Sequence, residues 1–245
     1  MEELTDRDEI RSILDKSPVI NMRMYSLVDS LDDNPDCTCY RNNSAMLLVS
    51  WSLGMYVKYA EDIIPLLDNI PAGRDWFLNG IDARVLPELE RRFPGQVTIN
   101  DDCYAWTLEE APQEIVELDS LELEDAKLIN ENWSYKSENS LEHIEWFIST
   151  FPSSVIRGNE GQPVAWSFIY EESPYHMNMG GLFVLPAYRQ QGFARRITLD
   201  MCRKVYNKGK KPLVHVNVNN EASQSLVTKL NFVSHERVIF GRLKL

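Results

Sequence analysis

Residues 182–196 read Leu-Phe-Val-Leu-Pro-Ala-Tyr-Arg-Gln-Gln-Gly-Phe-Ala-Arg-Arg, and no other stretch of the chain limits its fold so tightly. An apolar run stops at a Pro-containing turn, and Arg189-x-x-Gly192-x-Ala194 then leads into a long amphipathic segment. That order predicts a strand that runs out, a tight turn, and a helix whose first amides lack intrahelical partners. Bare amides, the positive end of the helix dipole and a flanking guanidinium together suit an anion. Glycine at 192 removes the Cβ that would hold an anion away from the backbone.

The flanks support this reading. Residues 177–185 are apolar enough for a strand. After the turn, Ala194, Ile197, Thr198, Met201, Cys202 and Val205 recur at helical spacing, and Asn207, Gly209 and Pro212 supply stop signals. Residues 213–218 alternate like a half-buried strand. Asn220 is the expected N-cap of a further helix that closes at Leu230-Asn231-Phe232, and two short β-prone runs finish the chain. Between Pro186 and Lys211, eight cations (Arg189, Arg195, Arg196, Arg203, Lys204, Lys208, Lys210, Lys211) stand against one acid, Asp200. The local balance of +7 (8 − 1) sits inside a chain of net charge −12. An acidic bulk argues against general nucleic-acid binding; a confined basic patch suits a compact polyanion. The distal lysines also fit a plain solvated helix face.

Upstream, a domain boundary is expected near residues 109–113, dividing an N-terminal α/β domain (1–110) from a second domain (113–245). The second opens with a strand over 115–118 and a helix over 123–133, with Ser120 as a cap. A helix over 140–151 follows, ended by Pro152. Strands over 153–157 and 164–170 are joined through Gly158-Asn159-Glu160-Gly161, a hairpin signal. In the first domain, helices are expected over 6–14, 61–70 and 83–93 and strands over 45–50, 75–78 and 103–108. This mixture fits either a degenerate copy of the second half or a separate domain, and it carries no anion-turn motif.

The order strand, anion turn, helix, strand, Asn-capped helix, strand resembles the second half of the GNAT acyl-CoA N-acyltransferases. Their Arg/Gln-x-x-Gly-x-Gly/Ala motif cradles coenzyme A. Several segments are further similar to the glycine N-acyltransferase family: Thr150-Phe151-Pro152 at a helix end, Gly161-Gln162-Pro163-Val164-Ala165-Trp166, Leu185-Pro186-Ala187-Tyr188-Arg189, and His215-Val216 followed by Asn220-Glu221-Ala222. The resemblance implies an α/β (α+β) fold, a mixed central sheet with one splayed strand pair, flanked by helices. It implies acetyl-CoA or another acyl-CoA as co-substrate. Leu182, Phe183 and Val184 would offer backbone groups to the pantetheine arm and the thioester oxygen, an oxyanion-type role. The 189–195 turn would hold the pyrophosphate: N–H groups from Gln190, Gly192 and Ala194, charge from Arg189 and Arg195, with Gln191 and Phe193 completing it. Asn220 would cap the last helix and bond the pantetheine, or serve as a cap alone. Gly180-Gly181 mark either a bulge that opens the strand gap or room for a neighbouring side chain.

The general base is where the sequence departs from the family. Glycine N-acyltransferases place a Glu in the strand before the Leu-Pro-x-Tyr-Arg turn; here that region holds His176 and Asn178. Asn178 cannot act as a base. His176 and His215 are the candidates, each weighed against an ordinary core or surface histidine. Val227 stands where many of these enzymes carry a Tyr acid, and Asn231 replaces the Gly of Leu-Gly-Phe. The expected activity is acyl transfer from a coenzyme A thioester to a small amine or amino acid, by direct attack in a ternary complex. A peptide or protein acceptor, and a non-catalytic acyl-CoA sensor, are the alternatives.

Composition narrows the rest. With 245 residues, 44% hydrophobic, the chain can bury a core. No apolar run is long enough to span a membrane, and the acidic start Met1-Glu2-Glu3 fits neither a signal peptide nor an Arg-rich transit peptide. Cys37, Cys39, Cys103 and Cys202 lack zinc-site spacing and read as reduced thiols of a cytoplasmic protein. No metal, nucleic-acid or membrane partner is expected, and a homodimer is left open.

Overall fold

The computed structural model describes residues 1–29, 31 and 37–245. The chain forms β1 (Glu2–Leu4), α1 (Arg7–Leu14), α2 (Met24–Asp29), β2 (Thr38–Asn42), β3 (Ala45–Val49), β4 (Leu53–Val57), β5 (Asp75–Asp82), α3 (Leu86–Arg92) and β6 (Val97–Thr107). It continues with α4 (Ala126–Glu131), α5 (Ser140–Thr150), β7 (Ser153–Arg157), β8 (Pro163–Glu172), β9 (His176–Val184), α6 (Phe193–Tyr206), β10 (Lys211–Asn217), α7 (Glu221–Lys229) and β11 (Val233–Lys244). It divides into two compact units: Met1–Ala105 with Val216–Glu221 and Ser234–Leu245, and Trp106–His215 with Ala222–Val233. The final strand therefore packs in the first unit, whereas the sequence groups it with the second domain.

In the first unit the strand order is β1-β2-β3-β4-β5-β11-β6. β2, β3 and β4 are antiparallel neighbours. A 3-10 helix, Ala60–Asn69, then carries the chain over to β5, which runs parallel to β4. Every residue of β3 and β4 is buried. One core joins these strands to Ile63, Leu66 and Leu67 of the 3-10 helix; a second joins their other face to Ile10 and Leu14 of α1 and Leu27 and Val28 of α2. Asp6 caps α1 by accepting from the amides of Asp8 and Glu9, as expected of a short acid at that position. The two β-prone runs at the chain end are one strand, β11. It pairs antiparallel with β5 and carries a register shift between Ile239 and Phe240.

The second unit repeats that connectivity. The order is β7-β8-β9-β10, with β7, β8 and β9 antiparallel and β10 parallel to β9 after the crossover helix α6. α6 lays Ile197, Met201 and Val205 against the sheet. The other face is covered by α4 and α5, where Ile129, Ile144 and Ile148 meet Trp166 and Phe168. The strand expected over 115–118 is absent; one isolated bridge, Asp119 to Val155, is formed there. Cations of α6 take the carbonyls instead: Arg203 donates to the Val116 carbonyl and Lys204 to that of Leu118. Ser120 is no cap. Glu122 and Asp125 form a reciprocal capping box that opens a short 3-10 turn ahead of α4. Among the described residues no helix is long and apolar enough to cross a membrane.

Candidate functional site

The expected strand–turn–helix is present. β9 ends at Val184, a single 3-10 turn covers Pro186–Tyr188, and α6 starts at Phe193. Gly192 is the N-cap residue, with φ 77° and ψ 5°, and no side chain caps the helix. The left-handed backbone is what requires glycine here. A Cβ built on Gly192 would meet no heavy atom within 4 Å beyond its chain neighbours and the helix's own backbone, so the space beside this residue is open. Gln190 is also left-handed, at φ 61°. That conformation costs a non-glycine residue on the order of 1–3 kcal/mol. The resulting corner presents backbone N–H groups and the positive end of a 14-residue helix, the physical requirements of an anion site.

The local charge is smaller than the sequence count. Five of the eight cations are matched with carboxylates: Arg195 with Glu114, Arg203 and Lys204 with Asp200, Lys210 with Glu172, and Lys211 with Glu109. Arg195 makes a two-armed contact with Glu114 at 2.7 and 2.6 Å, which holds the Glu114 carboxyl below its ordinary value. Arg189, Arg196 and Lys208 have no carboxylate partner among the described residues. Arg189 is anchored at the turn, its Nε donating to the Val184 carbonyl at 3.1 Å. Arg196, in the first turn of α6 and exposed, is the cation that motif reading passed over. Its availability follows from Arg195 and Arg203 being engaged elsewhere, which no local pattern reveals.

The splayed strand pair is equally clear. β10 pairs with β9 only at Lys211–His176, Pro212–Met177 and Leu213–Asn178. β9 then continues six residues to Val184 without a β10 partner, roughly 20 Å at about 3.3 Å per residue. The open stretch leads from the end of the pairing to the anion turn, and Leu182, Phe183 and Val184 lie along it. Both readings of Gly180-Gly181 hold. The β8–β9 register slips between the Trp166–Phe183 and Phe168–Gly180 pairs, which places a bulge at Gly181-Leu182. A Cβ on Gly180 would stand 1.7 Å from Tyr170 Cε1, and one on Gly181 2.6 Å from Phe168 Cε1.

The structure separates the two histidines. His176 begins β9 at the paired end, 4% exposed, its amide accepted by Ser173 Oγ; it is not brought to the opening. His215 lies two residues beyond the last β9–β10 pair and is half-buried. Asn178, fully buried, reaches it: Asn178 Nδ2 lies 3.3 Å from His215 Nδ1. Val227 is buried, 4% exposed, and has no proton to give. Asn220 belongs to the first unit and stands directly before α7. The four cysteines are free and buried; burial pushes the Cys39 and Cys103 thiols up to about 12 and raises Cys202 as well. Thiols so far from ionising are poor nucleophiles. The crossover of the first unit is no equivalent anion corner: it begins at Tyr59 in extended conformation, with Glu61 and Asp62 in its first turn. Among the described residues no group of three His, Cys, Asp or Glu is placed to hold a metal.

Known proteins bear on this geometry. Residues 155–240 match the family described as FR47-like protein. The chain is 33% identical to human glycine N-acyltransferase over 122 residues, 49% of this chain and 40% of that protein. It is 31% identical to the Bos taurus glycine N-acyltransferase over 121 residues, with the same coverage. The match thus spans about two-fifths of the length of these curated relatives. Among solved structures, a Drosophila protein aligns with a TM-score of 0.69 at 17% identity, covering 99% of this chain and 97% of its own. A GNAT-family acetyltransferase from Colwellia psychrerythraea aligns at 0.60 and 12% identity, with 99% of both chains covered. These likenesses cover both units and show the fold. The chain shares the fold of these structures, GNAT-family acetyltransferases among them, and over about half its length it is similar to the glycine N-acyltransferases.

Proposed function

We propose that the chain is an acyl-CoA-dependent N-acyltransferase that acylates the amine of a small molecule or amino acid. The observation that carries the reading is the corner at Gly192: a left-handed helix start without a side-chain cap, with open space beside the glycine, at the end of a stretch of β9 that β10 leaves unpaired. The pyrophosphate of coenzyme A suits the amides of residues 192–195 with Arg189 and Arg196 beside them. The pantetheine arm suits the free edge of β9 along Leu182, Phe183 and Val184, as a strand-like guest of a splayed sheet. The thioester would then lie toward the Asn178–His215 end of the gap.

His215 is the proposed base, and acetyl-CoA or another short acyl-CoA the proposed donor. The neutral amine attacks the thioester carbonyl, the N–C bond forms, and His215 takes the amine proton. The C–S bond breaks and the thiolate receives that proton back, so one imidazole serves both steps. This suits a chain with Val227 on the last helix. Direct attack is favoured because burial raises the Cys39, Cys103 and Cys202 thiols, the first two to about 12, so none of these three readily carries an acyl group. The first unit, with the same connectivity and an acidic crossover, reads as a degenerate repeat without a coenzyme site.

A thermal scan with acetyl-CoA tests binding. Ligand at a hundredfold excess over Kd stabilises by about 2.7 kcal/mol, a rise of roughly 5–10 °C for a chain of this size, and Arg189→Glu should remove it. Release of free thiol on adding an amine panel tests catalysis. Binding without thiol release would favour an acyl-CoA sensor, which the buried Val227 keeps in view. No shift at millimolar coenzyme would defeat both readings.

A further inference from the structure

The Asn178 carboxamide is wholly buried; its Nδ2 lies 3.3 Å from His215 Nδ1, and among the described residues its Oδ1 is buried without a hydrogen-bond partner. A buried, unsatisfied carbonyl oxygen ordinarily costs about 1–3 kcal/mol. Such a group calls for an explanation, of which a catalytic role is one. A half-turn about Cβ–Cγ exchanges the carboxamide oxygen and nitrogen, and the two orientations impose opposite states on the ring. With Nδ2 toward the ring, Nδ1 must accept and the proton sits on Nε2, so the imidazole is a donor. With Oδ1 toward the ring, Nδ1 carries the proton and Nε2 keeps its lone pair.

We propose that Asn178 is a positioning residue that turns its Oδ1 to His215 Nδ1–H and thereby holds the imidazole in the tautomer whose Nε2 can take a proton. The inference rests on the acyltransferase reading above and deepens it. Three features of the fold support it. Asn178 is the last β9 residue paired with β10, so its backbone is clamped where the strands part. His215 is two residues past that point on the partner strand, a separation that returns its side chain to the face of Leu213. The turned carboxamide also gives the stranded oxygen a donor, which the other orientation does not. A neutral amide holds the ring without adding charge, whereas a carboxylate would favour the imidazolium and leave less of the ring as free base at a given pH.

The test is the imidazole nitrogen spectrum of the full chain carrying 15N-histidine. The chain has four histidines, and His215→Gln identifies the signals. At a pH where His215 is neutral, the wild type should show the Nδ1–H tautomer, and Asn178→Leu should shift it toward Nε2–H. Asn178→Leu should also lower kcat tenfold or more while the acetyl-CoA melting shift stays intact; Asn178→Asp should retain the Nδ1–H tautomer. An Nε2–H ring in the wild type, or an unchanged tautomer in Asn178→Leu, overturns the proposal. The wild-type spectrum needs no variant to fold. Loss of the coenzyme shift in the wild type would instead defeat the acyltransferase reading, so the two failures are told apart.

Discussion

Replacing Gly192 by Asn, Ala and Val separates two reasons for a glycine at this corner. The first is conformational. At φ 77° an L-residue is strained by roughly 1–2 kcal/mol; Asn tolerates the region better, and a β-branched Val fits it worst. No neighbour lies within 4 Å of the added Cβ, so sterics inside the protein add nothing. Stability should therefore fall in the order Gly, Asn, Ala, Val. Gly192→Ala should lose roughly 2–8 °C in Tm at about 2–4 °C per kcal/mol. The second reason is space for the ligand. Every one of these side chains puts a carbon where the diphosphate would approach the amides. Coenzyme affinity by titration calorimetry should then drop by about tenfold or more, some 1.4 kcal/mol, in all three variants alike. Near-native coenzyme affinity in Gly192→Asn would refute the argument: glycine would then serve the backbone angle alone, and the diphosphate would lie elsewhere.

Other expectations follow from packing and charge. Gly180→Ala drives a methyl into the Tyr170 ring; overpacking of this kind costs about 1–3 kcal/mol, and in a Tyr170→Ala background most of that penalty should vanish in a urea-unfolding cycle. Asp200, fully buried, accepts from Ser154 Oγ at 2.6 Å, Lys204 Nζ at 2.8 Å and Arg203 Nη2 at 2.7 Å. Asp200→Asn removes the charge these cations share and should cost on the order of 3–5 kcal/mol in denaturant unfolding; a loss under 1 kcal/mol would mean the cations relax freely into water. Arg195 holds the Glu114 carboxyl below its ordinary value. The stabilising contribution is then complete above the unfolded pKa and lost only as pH falls through the lower folded value. Carboxyl NMR should show Glu114 ionised throughout pH 5–8, and Arg195→Gln should bring its midpoint back up.

Several local readings carried directly into structure because their causes are local. Helical spacing from Ala194 to Val205 became α6, the helix expected over 6–14 became α1, and Gly158–Gly161 became the β7–β8 turn. Other readings failed where a distant group competed. Residues 115–118 have strand composition, yet Arg203 and Lys204 take their carbonyls. The two terminal β-prone runs form one strand, of which Val238–Lys244 pairs with β5 across a register shift at Ile239/Phe240.

The residues around 192 determine by themselves that a strand must end, turn through a left-handed glycine and restart as a helix, because φ preference, periodicity and capping act over a few neighbouring residues. Which charges remain available at that turn, which histidine stands at the opening, and that Asn178 touches it were decided only in three dimensions. Salt bridges such as Arg195–Glu114 join residues 81 positions apart, and the Asn178–His215 contact spans 37. Contacts of that reach depend on where β9 and β10 stop pairing, a property of the sheet that no short stretch of sequence encodes.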